Sequence, residues 1–165
     1  MKIAILFDTV TGNTEKMAGV IAQGANSIEG IEAKIFSIDD FDGDFVAESK
    51  CVILGTPTYK TSCSAKTKVW LDELVSGDLK MGGKIAGAFA TANYVHGGGD
   101  MAVRTILDHF MCFGMMAYSG GGSQGRPVIH LGPVALGEHL EDFTEIFTVY
   151  GQRMAKKTVE VFGEK

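Results

Sequence analysis

Apolar residues occur along this chain in two patterns, which predict two kinds of secondary structure. Short continuous apolar runs are typical of strands that are buried on both faces of a parallel sheet. Longer segments in which apolar residues recur every three or four positions are typical of amphipathic helices. Because the two patterns alternate along the chain, we predict β-α-β units and therefore an α/β protein with a parallel sheet.

Five strands are predicted, and the fifth of them is interrupted. The predicted strands cover residues 3–7, 31–38, 51–54, 85–90 and 115–118. The alternating pattern of the second strand places it nearer the edge of the sheet. A glycine-rich segment at residues 119–125 interrupts the fifth strand, which is predicted to resume at residues 128–130.

The predicted helices follow the first, third, fourth and fifth strands. Ser64 and Asp100 are predicted to cap two of these helices, and Gly77 is predicted to end the first of the two. The apolar helix faces carry Met17, Val20, Ile21, Gly24, Ala25 and Ile28; Val69, Trp70, Leu71, Leu74 and Val75; Met101, Ile106, Leu107, Phe110 and Met111; and Leu140, Phe143, Phe147, Tyr150 and Met154. Residues 1–165 are predicted to form a single domain, because this length allows one sizeable core.

The most informative segment lies between the first strand and the first helix, where residues 9–14 read T-V-T-G-N-T. Its hydroxyl, amide and backbone N–H groups surround the positive end of a helix dipole, an arrangement that suits a phosphate. The segment matches neither G-x-G-x-x-G nor G-x-x-x-x-G-K-[ST], which argues against NAD-type and ATP-type sites. We therefore predict a phosphate-bearing ligand that is bound without a lysine. The alternative is an ordinary helix cap, in which Thr and Asn are also common.

Two further strand ends carry loops with a similar polar character. T-P-T-Y-K-T occupies residues 56–61, and T-A-N-Y-V-H-G-G-G occupies residues 91–99. Because the strands are parallel, all three loops are predicted to meet at the edge where open α/β sheets bind ligands. One loop for a phosphate and two loops for a flat polar ring are what a mononucleotide cofactor needs.

Composition narrows the range of partners. The net charge of −5, without a basic stripe, argues against nucleic acid and does not favour an anionic membrane surface. No apolar run approaches the length that spans a bilayer. The three cysteines lack C-x-x-C spacing and indicate neither a disulfide framework nor a zinc site. Since no signal peptide is evident either, we expect a cytoplasmic protein.

Two groups of motifs resemble known flavoprotein families. Residues 1–18, M-K-I-A-I-L-F-D-T-V-T-G-N-T-E-K-M-A, resemble the start of a flavodoxin, whose T/S-x-T-G-N-T loop holds the phosphate of FMN. G-T-P-T-Y, S-A-K-T-K-V-W-L-D and G-K-I-A-G-A-F-A-T, followed by G-G-G, resemble the WrbA-type NAD(P)H:quinone oxidoreductases. The resemblance implies FMN as cofactor and a three-layer flavodoxin-like α/β fold. That fold has helices on both faces of a five-stranded parallel sheet in the order 2-1-3-4-5, of which flavodoxin is itself the type example.

The resemblance also implies a set of cofactor-binding residues. The FMN phosphate would lie against Thr9, Val10, Thr11, Gly12, Asn13 and Thr14. One side of the flavin ring would lie along Pro57, Thr58, Tyr59, Lys60 and Thr61. The other edge of the ring would face Thr91, Ala92, Asn93, Tyr94, Gly97 and Gly98. No catalytic side chain is implied, because the flavin carries the chemistry.

The chain departs from the quinone oxidoreductase pattern at three places, one of which is a longer third loop with Y-V-H before its glycines. P-T-Y-K-T stands where those enzymes usually have P-T-R-[FY]-G. Cys112-Phe113 stands where they have a histidine pair, from which a histidine reaches a flavin across the oligomer. These departures leave the oligomeric state open, with a homo-oligomer as one option.

Two functions stay open on the sequence alone. We prefer NAD(P)H-dependent reduction of a quinone or similar small acceptor, because the charge of −5 is modest beside that of the strongly acidic electron carriers. The alternative is a flavodoxin-type protein that shuttles electrons between redox proteins. His96 is interpreted either as a proton-transfer group near the flavin or as a solvated loop residue. Cys63 lies near the predicted ring edge and has no evident catalytic partner.

Overall fold

The computed structural model describes residues 1–74, 77 and 79–163, so Val75, predicted on a helix face, lies outside the described residues. Seven strands and five α-helices occur within these ranges. The strands are β1 (Lys2–Phe7), β2 (Glu32–Ser37), β3 (Cys51–Tyr59), β4 (Ser62–Cys63), β5 (Ile85–Ala92), β6 (Met116–Ala117) and β7 (Val134–Leu136). The helices are α1 (Asn13–Asn26), α2 (Gly43–Glu48), α3 (Ala65–Glu73), α4 (Gly99–Cys112) and α5 (Thr144–Phe162).

The sheet runs in the order β2-β1-β3-β5-β6, and its neighbouring strands are parallel. This order corresponds to the predicted 2-1-3-4-5, with β2 at one edge. The small strand β4 adds an antiparallel hairpin to the end of β3, and β7 pairs with β5 beyond β6. The predicted flavodoxin-like α/β fold is therefore confirmed.

The fifth position of the sheet is occupied by two short strands with an insertion between them. β6 pairs with the start of β5 and β7 with its end, while residues 118–133 form the insertion. The predicted resumption of this strand at residues 128–130 is wrong. The Ile129 side chain is buried in the apolar core. Pairing with β5 begins only where the Ala90 N–H donates to the Pro133 carbonyl at 3.1 Å. Between the two short strands, the Ala88 N–H donates instead to the buried Tyr150 hydroxyl at 3.0 Å.

Helices cover both faces of the sheet and enclose one apolar cluster on each side. The cluster under α1 and α5 includes the edge-to-face pair of Phe89 and Phe147, whose ring centroids lie 5.8 Å apart. The opposite cluster lies under α2, α3 and α4 and contains Phe45, Leu71 and Phe110. No helix in the described part of the chain is both long and apolar enough to cross a membrane.

Two boundaries differ from the sequence prediction in ways that shape the carboxyl edge of the sheet. The third strand was predicted to end at Leu54, but β3 continues to Tyr59 because its polar end is paired with β4 and β5. Asp100 is not a helix cap, since α4 begins at Gly99 after an N-cap at Gly98. Ser64 is the N-cap of α3 as predicted, and its hydroxyl accepts from the Thr67 N–H at 3.0 Å.

Candidate functional site

A small cavity of about 80 Å³ lies at the carboxyl ends of β1, β3 and β5. Each of the three polar loops contributes to its wall. The lining residues are Thr11, Asn13, Pro57, Thr58, Tyr59, Thr91, Ala92 and Asn93. All of them belong to the set that the sequence pointed to, so the fold brings residues far apart in the chain to one place.

The rest of that set does not line the cavity and lies in the same three loops. These residues are Thr9, Val10, Gly12, Thr14, Lys60, Thr61, Tyr94, Gly97 and Gly98. They comprise buried supports, residues of the turns and exposed side chains.

The first loop leads directly into α1 and leaves the start of this helix without a side-chain cap. Its N-cap is Gly12 in the left-handed region with φ +86°, and no side chain makes a cap hydrogen bond there. The Thr9 hydroxyl accepts from the Gly12 N–H at 3.0 Å and so holds the loop closed. An ordinary capping role therefore does not explain the threonines of this loop. The positive end of the α1 dipole is left facing the loop.

Thr14 occupies a supporting position. Its side chain is buried, and its hydroxyl oxygen lies 3.0 Å from that of Thr91 at the end of β5. This hydrogen bond joins the first turn of α1 to the third loop. Thr14 can face a ligand through its backbone N–H, while its hydroxyl already has a protein partner.

Thr58 carries an unusual hydroxyl group. Its Oγ1 atom is buried and has no hydrogen-bond partner anywhere in the described part of the chain. Leaving a buried hydroxyl unpaired costs about 1–3 kcal/mol. The neighbouring Thr56 hydroxyl, by contrast, bonds to both the Thr67 hydroxyl and the Ser64 N–H. An unpaired hydroxyl in the cavity wall marks a place where a ligand can supply the missing partner.

The second loop is a tight hairpin between β3 and β4. Lys60 and Thr61 form its turn with φ values of +51° and +69°, which is rare for residues other than glycine. The backbone of Thr61 packs against Gly98, where a Cβ atom would stand 2.7 Å from the Thr61 Cα. Gly98 itself has φ +88°. Only glycine meets both conditions, so this contact fixes the third loop against the second.

Four exposed apolar or aromatic side chains lie on the three loops that form the cavity. Val10 is 74% exposed, Tyr59 46%, Tyr94 66% and Val95 87%. The Tyr94 ring is stacked on His96 at a centroid distance of 5.8 Å and an interplanar angle of 4°. We call these four residues the apolar rim. All three loops contribute to it.

A fourth segment, to which the sequence did not point, also reaches the site. Gly137 follows β7, and its N–H donates to the Ala92 carbonyl at 2.9 Å. A Cβ atom there would stand 2.9 Å from Asn13 Nδ2 and 3.3 Å from Asn93 Oδ1. The glycine thus lets this segment close against two residues of the cavity wall. The sequence did not predict this contact of Gly137, because the fifth strand was expected to resume at residues 128–130 rather than at β7.

A buried carboxylate lies behind the first loop. Asp8 is 2% exposed, and its Oδ2 accepts from the Ser64 hydroxyl at 2.6 Å. Lys66 Nζ lies 3.5 Å from its Oδ1 and also pairs with Asp39. These charged residues do not line the cavity, whose wall consists of uncharged residues. The hydrogen bond from the Ser64 hydroxyl to Asp8 anchors the first loop to the start of α3. Asp8 was not among the residues that the sequence pointed to.

The cysteine nearest to the site is not activated. Cys63 lies in β4, and burial raises the pKa of its thiol above the usual value. Burial also raises the pKa of Cys51 to about 12. Since the thiolate is the reactive form, neither group is a nucleophile at neutral pH.

Comparison with known proteins gives the family of the chain. Residues 5–123 match the flavodoxin family. A flavodoxin of Clostridium saccharobutylicum is 42% identical over 98% of this chain and 100% of its own length. An NAD(P)H dehydrogenase (quinone) of Cupriavidus metallidurans is 26% identical, over 83% of this chain and 76% of its own.

The fold agrees with solved structures in the same way. The flavodoxin, WrbA-like protein of Agrobacterium tumefaciens superposes with a TM-score of 0.79 over 96% of this chain and 98% of its own, at 20% identity. At that identity the similarity shows the shared fold alone. The family match and the full-length flavodoxin relative carry the assignment further, and they establish that this chain belongs to the flavodoxin family, whose members bind FMN.

Proposed function

We propose that this protein binds FMN at the cavity between its three loops and carries electrons between redox proteins. The observation that carries the proposal is the apolar rim, which consists of exposed side chains on the three loops that form the cavity. Exposed apolar groups at a ligand site are typical of a surface on which another protein docks. When bound there, FMN supplies a ring that exchanges one or two electrons.

The first loop fits the phosphate of FMN through its backbone. Gly12 at φ +86° turns the chain so that α1 begins directly beside the cavity, without a side-chain cap. The first-turn N–H groups and the helix dipole favour a phosphate group at that point. Thr11 and Asn13 line the cavity and add a hydroxyl and an amide. These groups hold an anion without using a cationic side chain.

The second and third loops fit the ring. Thr58 offers a buried hydroxyl that lacks a protein partner, which meets a polar edge of a ring. Tyr59 and Tyr94 project from two different loops and are largely exposed, so they are available to stack on a flat ligand. Such a stacked pair adds about 0.5–1.5 kcal/mol beyond the area that it buries. The chain's own part in the reaction is to bind the ring, orient it and leave one edge open to a partner.

Electron transfer between proteins is a better proposal than quinone reduction, which the sequence alone had favoured. The flavodoxin relative is 42% identical along its whole length, whereas the quinone dehydrogenase relative is 26% identical. The cavity lining contains no carboxylate, histidine, lysine or cysteine among the described residues. A small acceptor that takes up protons commonly needs such a group within hydrogen-bond reach. An electron carrier does not.

The test compares two acceptors under anaerobic conditions. FMN-loaded protein is reduced with dithionite and mixed in a stopped-flow instrument with either a c-type cytochrome or a small quinone. NADPH and NADH are tested separately as direct reductants. We expect fast oxidation by the cytochrome and slow reduction by either nicotinamide. Rapid bleaching by a nicotinamide, followed by quinone turnover without a protein partner, would contradict the carrier proposal.

The apolar rim provides a matched pair of variants for the same assay. Val95→Asp places a charge in the rim, and Val161→Asp places it on the exposed side of α5 near its end. We expect V95D to slow cytochrome reduction at least several-fold while FMN affinity stays unchanged. V161D should behave as the parent protein does. Equal rates for the two variants would show that the rim is not a docking surface.

A further inference from the structure

A second, larger cavity lies away from the candidate FMN site. It has a volume of about 320 Å³ and lies between α5 and the insertion at residues 118–133. Its lining residues are Tyr118, Gln124, Arg126, Val149, Gln152, Arg153, Lys156, Lys157 and Glu160. None of them belongs to the three loops at the carboxyl edge of the sheet. The cavity therefore lies outside the candidate FMN site, and the inference drawn from it does not depend on the electron-carrier proposal.

The charge of this cavity is opposite to that of the whole chain. Its described lining carries the cations Arg126, Arg153, Lys156 and Lys157 and one carboxylate, Glu160. Glu160 is bonded to Lys157 at 2.6 Å, so these two charges offset each other. An excess of three positive charges thus faces one concave space on a protein whose net charge is −5. Such local focusing of one sign of charge attracts a ligand of the opposite sign.

Arg153 is the fixed member of the group. It is 8% exposed, and its guanidinium donates to the carbonyls of Gln124, Gly125 and Pro127 at 2.8–3.1 Å. No carboxylate lies within ion-pair distance of it in the described part of the chain. Carbonyl dipoles alone compensate this buried charge, so a bound anion would gain from it.

Arg126 and Lys156 are the adaptable members. Both are exposed at the cavity, and neither forms an ion pair with a described residue. Arg126 lies between Gly125 and Pro127, whose carbonyls Arg153 holds, so its backbone is anchored. Tyr118 gives the cavity an aromatic wall, over which Lys157 Nζ stands 5.2 Å from the ring centroid. The long side chains of Arg126 and Lys156 can therefore contact a ligand that lies against the fixed Arg153.

We propose that this cavity binds an oligophosphate, a small anion with at least two linked phosphate groups. Two phosphate groups carry roughly three to four negative charges near neutral pH, which matches the local excess. A guanidinium group presents paired N–H donors that fit phosphate oxygens, and lysine adds a point charge. The concave shape favours a compact ligand over the flat surface of a partner protein. Free pyrophosphate and the diphosphate of a nucleotide share this chemistry.

The test uses FMN-loaded protein, because the flavin keeps the added anion out of the phosphate loop. Pyrophosphate and ADP are titrated separately by isothermal calorimetry at about 0.1 M salt, where exposed charges act over about 10 Å. The variant R126Q/K156Q removes two cations from the cavity. K34Q/R104Q removes two exposed cations from β2 and α4, elsewhere on the protein. We expect both ligands to bind the parent and control proteins and to lose at least tenfold in affinity in R126Q/K156Q.

Backbone amide NMR spectra locate the ligand. Binding in the cavity should shift the resonances of residues 118–126 and 149–160 and leave those of residues 9–14 unchanged. Tighter binding of ADP than of pyrophosphate would identify a nucleotide as the ligand, and equal binding would identify the diphosphate alone. Equal affinity of both double variants would overturn the proposal. The proposal would also be overturned if chloride or sulfate, added at the same concentration of charge, bound as tightly as pyrophosphate.

Discussion

The hydroxyl oxygens of Thr14 and Thr91 lie 3.0 Å apart in the interior, although 77 positions separate the two residues in the chain. One belongs to the first turn of α1 and the other to the end of β5. Their hydrogen bond holds the first loop against the third, so it fixes the spacing between the two parts of the candidate FMN site.

We expect Thr14→Val and Thr91→Val each to lower the free energy of unfolding by about 1–3 kcal/mol, because each leaves one buried hydroxyl unpaired. The double variant should lose less than the sum, since it removes both hydroxyls together. Urea unfolding of the flavin-free protein measures this. Thr148→Val, at a helix position where the hydroxyl bonds to the Thr144 carbonyl near solvent, is the control and should change little. Strict additivity of the two variants would show that their bond carries no coupling energy.

Thr58 offers a variant that separates binding from stability. Because its hydroxyl has no partner among the described residues, Thr58→Val should leave the stability of the flavin-free protein unchanged or raise it slightly. It should nevertheless weaken FMN binding several-fold, measured by fluorescence quenching of the flavin. Thr56→Val is the matched control two positions away, whose hydroxyl has protein partners. That variant should be less stable. If T58V binds FMN as the parent does, the hydroxyl does not face the cofactor.

The hairpin turn at Lys60 and Thr61 predicts a stabilising substitution. A β-branched residue at φ +69° costs about 1–2 kcal/mol relative to an unstrained conformation. Thr61→Gly removes this cost but adds flexibility to the unfolded chain, which offsets roughly half of it. We therefore expect a net gain of about 0.5–1 kcal/mol, read from the urea midpoint. Thr61→Asn should gain a similar amount, and Thr61→Val should gain nothing. A loss of stability in T61G would mean that the turn is not strained.

Arg153 predicts how the insertion is held. Its guanidinium bonds three carbonyls within residues 124–127, and its Cδ would stand 2.6 Å from a Cβ atom at Gly120. Arg153→Met keeps the apolar stem and removes these bonds, so about 1–3 kcal/mol of stability should be lost. Hydrogen exchange should rise in residues 120–127 and remain unchanged in β1 and β3. Uniformly faster exchange along the chain would instead indicate a general loss of the core.

Thiol reactivity predicts a pH profile. Burial raises the pKa of both Cys51 and Cys63, so at a given pH the thiolate fraction of each is smaller than that of an exposed thiol. Cys112 is exposed. At pH 8 we expect iodoacetamide to modify Cys112 alone in the folded protein and all three cysteines in 6 M guanidinium chloride. Mass spectrometry of the digested protein identifies the modified residue. Fast modification of Cys63 in the folded state would contradict its burial.

Much of the fold could be predicted from the sequence, because the apolar runs of a parallel sheet and the amphipathic helices have distinct periods. The loop at residues 9–14 could be predicted as well, since its polar residues fall between a predicted strand and a predicted helix. The end of β3 was not, because T-P-T-Y is polar and its strand character comes from pairing with β4 and β5. The fifth strand was misplaced by a run at residues 128–130 that is apolar for another reason, the packing of Ile129.

The contacts that complete the site were beyond sequence reasoning for a related reason. Asp8 is placed by its bond to Ser64, 56 positions away, and Gly137 by its approach to Asn13 and Asn93. Such pairings depend on the register of distant strands rather than on any local pattern. Thr58 could be assigned to the site from its neighbours, but its missing partner is visible only once the packing around it is known.

The divided outer strand has a consequence for how this protein can be altered. β5 fixes β6 and β7 by separate pairings, and Tyr150 satisfies the Ala88 N–H in the gap between them. The intervening segment is thus clamped at both ends to a strand that does not depend on it. The exposed side chains of this segment can therefore change without shifting the register of β5, provided that Ile129 and the carbonyls that hold Arg153 stay in place. The fold therefore offers a graft position where new recognition elements can be installed while the sheet and the candidate FMN site stay intact.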